Sequence, residues 1–217
     1  MSSKSRLVYV LSMVSKKPAT SRACQKEDTR ERIRRAAWEL FTETGFDATT
    51  TKAIAERARV AAGTIFVHAS DKDDLLFLVY HDHLSAAVDQ AFASLPAASF
   101  LDQLLHIFAH FFRMYAAAPE VARAFIRRLP GATGPNASRV NAMTFGFMHR
   151  LAELTMQARA RGELAADVPP MQAAQNFFGL YFMTLMSWLS GFVSLELALD
   201  PGLRAALELQ LRGLLPR

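Results

Sequence analysis

The sequence predicts an all-α fold, on three observations. Of its 217 residues 51% are hydrophobic, ample for a buried core. Strong helix formers dominate, while the alternating β-branched runs that mark strands are nearly absent. Apolar residues recur at helical spacing in one segment after another, punctuated by Gly and Pro, and these segments count out about nine helices. No internal repeat or low-complexity stretch interrupts them.

The formal charge of +5 hides an asymmetry. Residues 1–35 carry ten Lys or Arg against three acids, whereas residues 36–217 carry fifteen against seventeen. The basic excess therefore sits wholly at the N-terminal end, where it forms an electrostatic footprint for phosphate. Residues 1–28 read as a basic, disordered extension. Its apolar run Leu7-Val-Tyr-Val-Leu11, preceded by Lys4 and Arg6, imitates a secretion signal, but Lys16-Lys17 follow it in place of a small-residue cleavage site. Met13 offers an alternative start of translation, which leaves open whether residues 1–12 are translated. The single cysteine, Cys24, excludes an intrachain disulfide framework and fits a reducing cytoplasm.

The first helix spans about Thr29 to Thr44, with Ile33, Ala37, Leu40 and Phe41 as its buried stripe and Gly45 as its stop. Thr50 caps a second, short helix that carries Ile54, Ala55 and Ala58 on one face. Val60 and Ala61 break the rhythm, and Gly63 opens a third helix, Ala62 to His68, of barely two turns. So short a helix is not stable alone and must be held by its surroundings. Two short helices joined at a steep angle, the second presented outward, are the parts of a helix-turn-helix that reads DNA. Ser70 or Asp71 caps the fourth helix, Asp73-Asp74 suit the positive end of its dipole, and it runs to about Ser94.

After Pro96 a second module is helical to its end. The fifth helix keeps a seam of Leu101, Leu104, Leu105, Phe108, Phe111, Phe112 and Tyr115; Pro119 opens the sixth; Pro130 to Asn136 form a loop. The seventh, about Ala137 to Arg161, is apolar along Val140, Met143, Phe147, Leu151, Leu154 and Ala158, with Phe145 and Met148 adding apolar surface on a second face. The eighth, entered through Pro169-Pro170, lies in a stretch without charge from Asp167 to Glu196. It is long enough to suggest a membrane span, yet Gln175, Asn176, Thr184, Ser187, Ser190 and Ser194 dilute it and no positive cluster flanks it. We expect no membrane there. The helix instead packs on its own core on one side and on an identical helix on the other, with Leu185 and Leu189 in the seam. A ninth helix covers roughly Pro201 to Leu215.

Over residues 29–76 the chain resembles the tetracycline-repressor (TetR) family of bacterial transcriptional regulators. Gly45-Phe46, Thr49-Thr50, Ile54-Ala55, Ala58, Val60, Gly63-Thr64, Phe66, His68, Lys72 and Leu75 stand, without a gap, where that family's signature has them. Four positions depart from it: Arg59 replaces a glycine, Ala61 a serine, Phe66 a tyrosine and Ala69 an aromatic residue. Hydroxyls that could bind phosphate are thereby lost at 61 and 66. The resemblance implies a helix-turn-helix DNA-binding domain at 29–75 and a ligand-binding and dimerisation domain at 76–217. It puts Ala61, Ala62, Thr64 and His68 at base edges or the adjacent backbone, with Phe66 beside them, and Thr50, Thr51, Lys52 and Lys72 on phosphates. Gly63 would let the two backbones approach. It further implies a homodimer through helices 8 and 9, a double-stranded DNA operator and a small-molecule effector, in the cytoplasm.

Spacing alone is satisfied if Phe108, Phe111, Phe112, Tyr115, Phe125, Met143, Phe147, Phe178 and Phe182 simply fill the core. The resemblance adds the alternative that they line a cavity, whose ligand would be largely apolar or aromatic. His106 and His110, at i and i+4, have metal-sharing spacing but lie opposite the Phe108 seam beside Arg113, as on an ordinary wet face. No nucleophile stands in a recognised turn and no glycine loop cradles phosphate. We expect no catalytic residues, metal or cofactor. The expected function is a ligand-released repressor. The alternatives are a small-molecule carrier or enzyme with a vestigial DNA module, and a dimeric factor that binds a protein partner on DNA.

Overall fold

A computed structural model describes residues 22–215. The readings made above for residues 1–21 lie outside it. Among the described residues there is no strand, and the helices are α1 (Arg22–Glu43), α2 (Thr51–Arg57), α3 (Ala62–His68), α4 (Lys72–Ala93), α5 (Phe100–Ala116), α6 (Pro119–Arg128), α7 (Pro135–Ala160), α8 (Pro170–Leu189), the single turn α9 (Leu195–Leu197) and α10 (Arg204–Arg212). No helix of the described residues is long and apolar enough to cross a membrane.

Starts and stops follow local chemistry. The hydroxyl of Thr50 accepts from the Ala53 amide, the carboxylate of Asp71 from that of Asp74, and the hydroxyl of Ser99 from that of Asp102. Proline opens α6, α7 and α8, where its missing N–H costs nothing. Gly45, at φ +85°, ends α1 in the left-handed region.

Two expectations need correction. α1 begins at Arg22, not Thr29, so the last seven residues assigned to the extension are helical. The final helix does not run unbroken from Pro201 to Leu215. Asp200 leaves helical geometry within the stretch Ala198–Leu203, and regular helix resumes only at Arg204.

Ile33, Ala37, Leu40 and Phe41 of α1 pack with Ile54 and Ala55 of α2 and Ile65 of α3 into a small core, closed by Phe46 against Phe41 at 5.1 Å between ring centres. α4 leaves this core and enters the next without a linker. Its residues Asp74 to Tyr80 are all buried, because α1, α5, α6 and α7 each pack against it. Ion pairs of Arg34 (3.3 Å) and Arg30 (3.8 Å) with Asp82 tie α1 to α4. α7 then packs between α4 and α8.

Candidate DNA-reading surface and effector cavity

Helical geometry sorts the residues of α3. Successive positions turn by about 100°, so Ala62, Gly63, Phe66 and Val67 share one arc of roughly 140°, and Ile65 lies outside it. Accordingly Ile65 is fully buried while Phe66 is 58% and Val67 64% exposed. Ala61, Ala62 and Gly63 are exposed as well. Thr64 and His68 lie on the flank and are half-buried. Burial first, then the nearby charges of Lys26 and Arg30, hold the His68 imidazole below the ordinary histidine pKa. The charged form of the ring is thereby disfavoured. Val67 was missed by sequence reasoning, although its place one residue past Phe66 was the available signal. The outward arc is apolar and offers methyl and ring contact, with no side-chain donor fork for a base edge.

On α2 the Thr50 hydroxyl is engaged as cap at 3.1 Å from the Ala53 amide, and Thr51 is half-buried. Lys52 is held only by a 4.0 Å ion pair to Glu56, with its side chain 82% exposed. Lys72 is placed differently from expectation. Its ammonium donates to the carbonyls of Phe46, Asp47 and Thr49 at 3.0, 3.1 and 3.1 Å and lies 4.5 Å from the centre of the Phe46 ring. All three of its hydrogens are thus used to close the loop between α1 and α2.

Arg59, in the place of the usual turn glycine, adopts φ +55°. A non-glycine residue is disfavoured there. The guanidinium of Arg32 donates to the carbonyls of Ala58 and Arg59 at 2.6 and 2.7 Å, which satisfies the end of α2 and pins the turn. Arg32, Arg35, Arg57 and Arg59 line an open polar groove with Glu39 between α1 and this turn. Arg57 is neutralised by Glu39 and Glu43 at 3.2 and 3.0 Å. Arg35 and Arg59 are exposed and make no ion pair among the described residues, so their charge is uncompensated in this groove.

In the second module a cavity of about 50 Å³ lies among α4 to α8. It is lined by Leu84, Val88, Phe111, Tyr115, Phe125, Leu129, Val140, Met143, Thr144, Phe147, Phe178, Tyr181 and Phe182. Seven of the nine expected residues are among these, but Phe108 and Phe112 are not. On α5 the Phe108–Phe112 pair is centred roughly 60° round from the Phe111–Tyr115 pair. Phe108 stacks flat on the far side of Tyr181 at 4.7 Å, and Phe112 packs against Tyr181 and Trp188 at 5.8 Å from each. Both belong to the packed layer behind the wall. Leu84, Val88, Leu129, Val140, Thr144 and Tyr181 were not anticipated. Of these, Val140 lay on a face the sequence had marked as apolar.

The lining has few polar atoms. The Thr144 hydroxyl donates to the Val140 carbonyl at 2.9 Å. The Tyr115 and Tyr181 hydroxyls share a hydrogen bond in which either can donate, and burial raises both phenol pKa values, so both are neutral. One hydrogen of the pair thereby remains for a further acceptor.

His106 and His110 are 4.6 Å apart between ring centres, but their nitrogens face local groups: His106 Nε2 pairs with the Ser94 hydroxyl at 3.0 Å and His110 Nδ1 with the His106 carbonyl at 2.9 Å. The expected partner-facing Leu185 and Leu189 are buried in their own chain. The outward stripe of α8 is Gln172, Gln175, Asn176, Gly179, Met183 and Ser190.

A two-turn outward helix pinned by a turn, set on a module with an apolar cavity, defines a helix-turn-helix transcriptional regulator. Residues 33–79 match the profile of bacterial regulatory proteins of the tetR family, which marks that stretch as a DNA-binding domain of the TetR type. The HTH-type transcriptional regulator HbdR of Aromatoleum sp. (strain CIB) is 46% identical over 52 residues, 24% of this chain and 23% of that protein. The fatty acid metabolism regulator protein of Bacillus subtilis (strain 168) is 22% identical over 165 residues, 76% of this chain and 85% of that regulator. Among solved structures, the TetR-family repressor FadR of Thermus thermophilus, in complex with lauroyl-CoA, has a TM-score of 0.66 and 27% identity, covering 82% of this chain and 93% of its own. Bacillus subtilis FadR in complex with stearoyl-CoA has a TM-score of 0.64 over 85% of this chain and 98% of its own; at 21% identity that likeness is one of fold.

Proposed function

We propose that this regulator is a homodimeric repressor that leaves its operator when the acyl chain of a fatty acyl-CoA enters the cavity. The observation that carries the proposal is the cavity wall: ten of its thirteen residues are aliphatic, Phe or Met, and the only side-chain oxygens are those of Thr144, Tyr115 and Tyr181. Such a wall favours an apolar chain, with one hydroxyl of the Tyr115–Tyr181 pair available to a polar acceptor along it. The acyl-CoA complexes of two structural neighbours support this choice of ligand. Reading would be by Ala61, Ala62, Gly63, Phe66 and Val67 of the exposed arc, with Thr64 and His68 at its flank, and apolar contact with thymine methyls is the chemistry these residues offer. Thr50, Thr51, Lys52, Arg35 and Arg59 would hold phosphates, which set register without reading sequence.

The test begins by selecting bound duplexes from a random pool, then titrating the bound operator with lauroyl-CoA. Lauroyl-CoA should displace the protein while CoA alone does not, and Met143→Trp, which fills the cavity, should leave the remaining operator binding insensitive to lauroyl-CoA. Equal displacement by CoA alone would remove the acyl chain from the proposal. Hydrolysis of lauroyl-CoA together with no selected duplex would favour the carrier or enzyme reading.

A further inference from the structure

The amino end of α7 is capped by a residue of another helix. Its N-cap is Gly134, which has no side chain, and its first residue is Pro135, which has no N–H. The next two amides, those of Asn136 and Ala137, are orphans that the helix itself cannot satisfy. Both donate to Asp74 Oδ1 of α4, at 2.9 and 3.1 Å. Asp74 Oδ2 accepts from the Ser70 amide at 3.1 Å and from the Asn136 side-chain amide at 2.9 Å. The same Asn136 nitrogen donates to the carbonyl of His68, the last residue of α3, at 2.8 Å. Asp74 is fully buried and Asn136 is 2% exposed. The approach is as close as it can be. A Cβ on Gly134, whose φ is +116°, would fall 2.5 Å from Asp74 Oδ1.

These bonds join the end of the reading helix to α7 directly, beside the path through α4. One to three turns further along, α7 supplies Val140, Met143, Thr144 and Phe147 to the cavity wall. α7 is a continuous helix from Pro135 to Ala160, so a shift at the wall is carried to its first turn. We propose that Asn136 is a positioning residue of the reading helix, and that filling the cavity moves α3 through Asn136 and Asp74. This rests on the cavity being the effector site but not on the effector being an acyl-CoA.

The test is made without ligand. Amide hydrogen exchange across Ala62–Ala69 is compared in the wild type, Asn136→Ala, Met143→Trp and the double variant, with circular dichroism reporting the fold. Asn136→Ser takes the place of Asn136→Ala if the latter does not fold. Loss of a buried amide donor should speed exchange in α3 about fivefold or more. Met143→Trp should also alter α3 exchange, and that effect should vanish when Asn136 is replaced. A purely structural asparagine would give additive effects in this cycle. The inference is overturned if Asn136→Ala leaves α3 exchange at the wild-type rate, if Met143→Trp does not reach α3, or if the two effects add. A failure of lauroyl-CoA to release DNA bears only on the identity of the effector and leaves this cycle unaffected.

Discussion

The Lys72 ammonium has three hydrogens and three carbonyls to receive them, those of Phe46, Asp47 and Thr49. Charge-assisted hydrogen bonds of this kind stabilise more than neutral ones, and their loss leaves loop carbonyls to find water. Lys72→Ala should therefore destabilise the fold by roughly 1–3 kcal/mol. It should leave the slope of log K against log salt for DNA almost unchanged. Lys52→Ala, by contrast, should lower that slope by about one and leave the melting temperature in place. Thermal melts and salt titrations of both variants decide the matter. A slope that falls by about one in Lys72→Ala with no loss of stability would return the ammonium to phosphate. Phosphate binding by Lys72 was what the family resemblance implied, and its place in the first turn of a helix agreed with it. Its carbonyl partners lie 23 to 26 residues away, and nothing local announces them. Arg59 was more legible. A bulky residue where the turn favours glycine signals either strain or an external clamp, and Arg32 is the clamp.

At the scale of the element, a periodic apolar stripe made most helices legible, and its absence hid others. Residues 22–28 have no such stripe, so the first two turns of α1 could not be seen. They are held by i to i+3 and i+4 pairs, Glu27 with Arg30 at 3.2 Å and Asp28 with Arg32 at 3.9 Å, which a count of apolar residues ignores. α8 posed the opposite problem. Apolar nearly all round, it left no contrast to say which side meets a partner. Its core stripe is Ala173, Ala174, Phe177, Tyr181, Leu185 and Leu189, whereas Met183, 68% exposed, faces away, and Leu209 of α10 is 71% exposed. If these two helices form the dimer, Met183→Arg and Leu209→Arg should each yield folded monomers in sedimentation. Leu185→Arg should instead lose the fold, because an unpaired charge enters the monomer's own core. A wild-type chain that sediments as a monomer at micromolar concentration would end the proposal.

Over the whole molecule the two modules share α4, which passes from the small core into the large one without a linker. The boundary expected at residue 75 accordingly falls inside a helix. Family resemblance made the architecture legible. The cavity was legible as a set of residues, because phenylalanines cluster where the helices converge, but its size depends on packing that no sequence pattern encodes. At about 50 Å³ it is far below the ~300–1,000 Å³ typical of ligand sites, so the resting molecule is nearly closed to any effector. If the effector brings an acyl chain, only molecules loosened beyond this form can admit it, and the apparent affinity falls by their fraction. Stopped-flow mixing should then show a binding rate that levels off as lauroyl-CoA is raised, where simple collision would give a straight line. The pace of derepression is in that case set by how often the aromatic core breathes, and surplus effector cannot hasten it.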